Sequence, residues 1–217
     1  TCLLGIFAFA AHAQSDNKSD PKPIRFVGSV VDADTKEPIA ARIYLQNADG
    51  DWLFVRSDSD LGTAWPYAEQ WVPMPQSVER HTTVSAHPFT INLTPGEYTI
   101  TIERGKEYFP LRETIAISSQ ELTSVPNLVA PKVEKSFSLK RWSNMASRGW
   151  FSGETHVHRR IAELPNVMSA EELNVTFPVT FWTTSADKAP DLEPSSLRSQ
   201  GPSPFGPRED HGPDPIW

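Results

Sequence analysis

Two histidines stand two positions apart in His156-Val157-His158, and Glu154 lies two positions before the first. On a strand, residues i and i+2 point to the same face. Two imidazoles held side by side can bind one divalent metal, such as zinc, iron or manganese. Glu154 shares that face and can supply a third ligand or orient a histidine from behind. Arg159 and Arg160 follow directly. They can hold an anionic group, phosphate or carboxylate, on a small-molecule substrate, or they can be two solvated arginines. With six histidines in the chain, an incidental His-x-His is not rare, so its setting has to decide. In the tail, Glu209-Asp210-His211 offers a further ligand or simply an acidic loop. The single cysteine, Cys2, lies in the apolar leader read below, so the mature chain is expected to have no disulfide framework and no thiol catalysis. Gly-x-Ser-x-Gly, P-loop and dinucleotide fingerprints do not occur in the sequence.

The setting is a change of pattern after residue 141. Gly149 to Gly153 is a turn-rich approach, and Glu154 to His158 reads as a short strand. Ser169-Ala170-Glu171-Glu172-Leu173 reads as a helix start, with Ser169 and Glu172 as a capping box. Val175 to Thr184 is a second apolar strand, and Pro178 within it suggests an early or edge position. Strand, helix and strand in this order form a βαβ unit and imply a parallel sheet. Parallel sheets bind ligands at the carboxyl ends of their strands, and the His pair stands at such an end. One βαβ unit alone cannot bury both faces of its sheet, so further units are expected beyond it.

Residues 24–140 read as β structure. Tyr98, Ile100 and Ile102 alternate with Glu97, Thr99, Thr101 and Glu103, and turn signals occur at Asn47-Ala48-Asp49-Gly50 and Pro95-Gly96. About seven short strands divided by such turns imply an antiparallel β-sandwich. The segment 57–88 breaks the pattern and reads as a long ordered loop inserted in the sandwich. It holds Trp65, Tyr67, Trp71, His81 and His87 among several prolines. Its aromatics can stack on sugar rings or pack over the neighbouring domain.

The composition is that of a globular protein, with 38% apolar and 22% charged residues. The net charge of −7 without a basic stripe argues against nucleic acid as a partner. Residues 1–13 read as a signal peptide clipped at its N-terminus: the apolar run LLGIFAFAAHA ends in Ala11-His12-Ala13 and is too short to span a bilayer. A linker, 14–23, follows. Export implies a periplasmic or extracellular protein. The sequons Asn92-Leu-Thr94 and Asn174-Val-Thr176 fall in strands or strand ends and carry little weight. Residues 185–217, rich in Pro and Ser, read as a loop that stops without a closing pattern, as in a fragment.

Two resemblances follow from these residues. Gly28-Ser29-Val30-Val31-Asp32, Glu37-Pro38-Ile39-Ala40-Ala41-Arg42-Ile43 and Leu93-Thr94-Pro95-Gly96-Glu97-Tyr98-Thr99-Ile100 resemble the carboxypeptidase regulatory-like (transthyretin-like) domains. The run Gly149-Trp150-Phe151-Ser152-Gly153-Glu154-Thr155-His156-Val157-His158-Arg159 resembles the opening motif of the PHP (polymerase and histidinol phosphatase) metallohydrolases. It is closest to the CehA/McbA-type branch, whose members often carry a sandwich domain in front. This second resemblance implies an α/β barrel of which residues 141–184 are the start. It assigns metal binding to His156 and His158, puts Glu154 where an aspartate is more usual, and lets Glu163 approach the metals. The family's Thr-Asp-His strand ending is replaced here by Phe181-Trp182-Thr183-Thr184-Ser185, and its later ligands have no counterparts before Trp217. The expectation is the front part of an exported metal-dependent hydrolase of ester, phosphoester or amide bonds, inactive as this fragment. The alternative is a non-catalytic sandwich that contacts a glycan or a cell-surface partner through the Trp65–Trp71 loop.

Overall fold

The computed structural model describes residues 22–70, 78–118 and 132–178. The described residues are mainly β, with largely antiparallel sheets and one short α-helix. Ten strands precede residue 140: β1 (Ile24–Asp32), β2 (Ala41–Asn47), β3 (Trp52–Leu53), β4 (Arg56–Ser57), β5 (Ala64–Gln70), β6 (Val78–Val84), β7 (Phe89–Leu93), β8 (Gly96–Glu103), β9 (Leu111–Ile117) and β10 (Lys132–Leu139). One sheet runs β10-β1-β7-β4 and the other β5-β6-β2-β8-β9, with β3 also paired to β2.

Alternation in the sequence explains the shared core. In β8, Tyr98, Ile100 and Ile102 are buried, while the residues between them are not. They join Ile43 and Leu45 of β2, Ile115 and Ile117 of β9, and Phe26, Phe89 and Phe137 of the other sheet in one apolar cluster. The three phenylalanine rings stand 6.4–6.5 Å apart. Gly28 of β1 makes room for them, because a Cβ there would lie 2.2 Å from Cζ of Phe89.

Three expectations need correction. The strands are not all antiparallel, since the first, β1, and the tenth, β10, pair in parallel from Arg25↔Lys132 to Asp32↔Leu139. The segment 57–88 is not a loop. In its described part, β5 and β6 form an antiparallel pair from Ala64↔Val84 to Gln70↔Val78 at the edge of the second sheet. Alternation failed to reveal β6 because its buried residues include His81, Thr82 and Thr83. Pro66 is tolerated because β5 is an edge strand. Trp71 lies outside the described residues.

The third correction concerns the helix. It spans Leu164–Glu171 (α1), so Ser169 sits inside it and bonds back to Pro165 O (2.8 Å) instead of capping its start. Pro165 opens the first turn, and Glu172 ends the helix in the left-handed region, φ 55°. The strands around it are β11 (Gly153–Val157) and β12 (Val175–Pro178), paired in parallel. The expected βαβ order is therefore present. Residues 1–21, which include the expected leader, and 179–217, which include the rest of the expected second strand and the tail, lie outside the described residues.

This unit docks on the second sheet through α1. Asn166 Nδ2 donates to Thr83 O (3.0 Å), and Gly105 N–H donates to Ala170 O (2.9 Å). Arg104 donates to both Ala40 O (2.6 Å) and Ser169 O (2.5 Å). Arg42 bridges Glu103 (2.9 Å), Glu171 (3.0 Å) and Glu79 (3.3 Å).

Candidate metal site

The strand β11 is polar and exposed along almost its whole length. His156 on β11 and His158, one residue past its end, stand side by side, with ring centroids 4.7 Å apart. Their Nε2 atoms converge to 2.8 Å, where one ring donates a hydrogen bond and the other accepts it. Burial, with the neighbouring His156 adding to it, holds the His158 pKa below the usual histidine value. Two nitrogens bound at about 2.0–2.1 Å to one tetrahedral ion stand roughly 3.3 Å apart, and to one octahedral ion roughly 2.9 Å apart. The observed 2.8 Å is near the octahedral value and short of the tetrahedral one, and a divalent ion in place of the shared proton would need the rings to turn so that both nitrogens face it.

The rest of the expected ligand set is less complete. Glu154 Oε1 accepts the backbone N–H of His156 (3.0 Å), which fixes the strand rather than the rings. Glu163 is buried in the turn before α1. One of its oxygens meets Arg159 Nε at 3.0 Å, and the other is ion-paired with Arg160. Among the described residues, no group of three His, Cys, Asp or Glu side chains is arranged to hold a metal ion. The chain therefore presents two convergent nitrogens, with a carboxylate nearby on the same strand. Glu209, Asp210 and His211 lie outside the described residues.

The two arginines are bound more tightly than solvated side chains. Arg159 Cζ lies 4.4 Å from the centroid of the Tyr67 ring, and Arg160 Cζ lies 5.5 Å from that of Trp65. Tyr67 in turn stacks on His81, at 5.2 Å and 26°. His81 is buried, with Tyr44 on it at 5.3 Å and Glu79 Oε1 3.1 Å from its Nδ1. Burial outweighs the nearby Glu79 carboxylate and lowers the His81 pKa. The contact with His81 and the neighbouring charges hold Glu79 down to about 2. Arg159 Nη2 is buried without a hydrogen-bond partner among the described residues. Sequence reasoning missed this column of Arg159, Tyr67 and His81, because its members are far apart in the chain. The only available signal was the aromatic content of 57–88.

A separate cleft of about 660 Å³ opens between the sheets and the βαβ unit, with Trp150, Phe151, Arg104 and Arg141 in its lining. His156 and His158 do not line it.

No family model and no curated protein matches the sequence. Among solved structures, the chain is similar to one described as the crystal structure of group B streptococcus pilus 2b backbone protein. Identity is 17% and the TM-score 0.36, over 58% of this chain and 43% of that one. The chain thus spans less than half the length of that neighbour, and a likeness of this degree says nothing about the His pair. Among the described residues, no helix is long and apolar enough to cross a membrane.

Proposed function

We propose that the chain is the front part of an exported, PHP-type metal-dependent hydrolase. In this reading a transthyretin-like β-sandwich, 24–140, precedes the first βαβ unit of an α/β barrel, 141–184. The observation that carries the reading is the convergence of the His156 and His158 Nε2 atoms, 2.8 Å apart, at the carboxyl end of a strand in a parallel βαβ unit. Two sheets around one core support the sandwich part of it. The exposure of Phe151, Val175 and Phe177 around β11 and β12 supports a sheet that more chain would cover.

His156 and His158 would hold the ion, with Glu154 completing or tuning the site. A divalent cation bound there supplies Lewis acidity that makes water a nucleophile near neutral pH. Arg159 and Arg160, both paired with Glu163 here, would hold an anionic group of a substrate only by giving up that carboxylate. Ester, phosphoester and amide bonds are the substrate classes this chemistry serves.

Zinc titration by calorimetry at pH 7.5 tests the reading. The chain is expected to bind one equivalent, and His156→Ala or His158→Ala to lose at least tenfold in affinity. Unchanged binding in both variants would place the metal elsewhere and end the proposal. As a fragment the chain is expected to show no metal-dependent turnover.

A further inference from the structure

The His pair is followed at once by two arginines that do not point freely into solvent. Arg159 lies over Tyr67 and Arg160 over Trp65, both on β5, the edge strand of the front module. Glu163 pairs with both guanidinium groups across the turn that leads into α1. Tyr67 is itself immobilised by its stack on the buried His81 of β6. A few residues on, Asn166 of α1 bonds to Thr83 O of the same strand. The chain leaving β11 is therefore held on the β5–β6 pair at two points. By contrast, among the described residues β11 pairs with the short β12 alone. A two-stranded ribbon gives little rigidity of its own.

From this geometry we infer that Tyr67 and Trp65 are positioning residues for the His156–His158 pair. They act through Arg159 and Arg160. The front module is then a structural part of the metal site rather than a separate adhesive domain. The inference rests on the metal reading for its function, but its physical content is the juxtaposition of the two rings, which exists without metal. A cation over an aromatic face is worth roughly 0.5–2 kcal/mol, enough to bias the orientation of an otherwise exposed strand end. Tyr67→Phe keeps the face and the stack, whereas Tyr67→Leu keeps bulk and removes the attraction.

The test uses the whole chain, free of metal, with histidine ring nitrogens read by NMR. In the parent protein the shared hydrogen bond fixes one ring of the pair as Nε2–H and leaves the other Nε2 bare. Tyr67→Leu and Arg159→Gln are each expected to collapse the two ring signals toward averaged tautomers, and Tyr67→Phe to preserve the parent pattern. Zinc added to the same samples should bind about tenfold more weakly to the first two variants than to the parent or to Tyr67→Phe. Folded Tyr67→Leu and Arg159→Gln proteins with parent ring signals would overturn the positioning role. Because the arginine variant leaves the front module intact, it decides the matter even where Tyr67→Leu does not fold. A parent chain that keeps its paired rings yet takes up no zinc would sink the metal reading instead, so the two failures are distinguishable.

Discussion

At the scale of single residues, Asp32 shows how one carboxylate organises a strand end. It is buried, and its Oδ1 accepts the N–H groups of Asp34 (2.8 Å) and Thr35 (2.9 Å). Its Oδ2 accepts the hydroxyl of Tyr108 (2.6 Å), which also accepts a hydrogen bond from Arg141 (2.8 Å). Burial alone would raise its pKa, but the Tyr108 hydroxyl and the two amides outweigh it and hold the carboxyl at about 2. A carboxylate depressed in the fold stabilises fully above its unfolded value, and that contribution is lost as pH falls toward the folded value. Asp32→Asn is expected to cost about 1–3 kcal/mol at pH 7, because Asn leaves part of this set unpaired. Urea unfolding should show the gap between the two proteins closing between about pH 4 and pH 2. A gap independent of pH would mean that the charge of Asp32 contributes nothing. The turn at Asn47-Ala48-Asp49-Gly50 was legible, and His156 and His158 were legible as neighbours, because both depend on local spacing. The engagement of Glu163 with two arginines, and of Tyr108 with Asp32, was not legible, since each is settled by how distant elements pack.

At the scale of elements, legibility followed the chemistry of the buried face. The strand β8 announced itself because its inward residues are Tyr98, Ile100 and Ile102. The strand β6 did not, because it buries His81, Thr82 and Thr83, and the two threonines have specific partners. Thr82 Oγ1 accepts the N–H of Val55 (3.2 Å), and Thr83 O accepts Asn166 (3.0 Å). The parallel pairing of β1 and β10 was invisible because sequence patterns report burial and not strand direction. What the pattern does expose is Gly28 between Val27 and Ser29 in a mostly apolar strand. Its missing side chain is filled by the Phe89 ring from β7, the neighbouring strand. Gly28→Ala is expected to destabilise by about 1–3 kcal/mol through overpacking. Adding Phe89→Leu should recover part of that loss, so the double variant would be more stable than the sum of the single changes. Denaturant midpoints for the four proteins check this. Simple additivity would show that the ring and the glycine are not in steric conflict.

At the scale of the whole molecule, the front module and the βαβ unit are joined by charge rather than by an apolar seam. Arg42 faces Glu79, Glu103 and Glu171, while Arg104 and Arg141 both reach Glu172. His81 sits beneath this junction, faced by Tyr44, Tyr67, Glu79, Arg42 and Arg159. Burial is the main cause that keeps its pKa below the ordinary 6.5, and the two arginines act in the same direction. The folded protein therefore resists a proton that the unfolded chain accepts. Its stability is full above about pH 6.5 and declines as pH falls below that value. The decline should begin at the junction, because protonation places a third positive group between Arg42 and Arg159. Hydrogen exchange at pH 5.5, corrected for its intrinsic pH dependence, is expected to show α1 and β6 opening more readily than at pH 7.5, with β1 and β10 unchanged. His81→Gln, which cannot take the proton, should flatten the response between about pH 5 and 6.5. If the glutamine variant opens with acid as the parent does, the sensitivity belongs to another group. The junction would then be held by its arginine pairs alone, whatever the charge on His81.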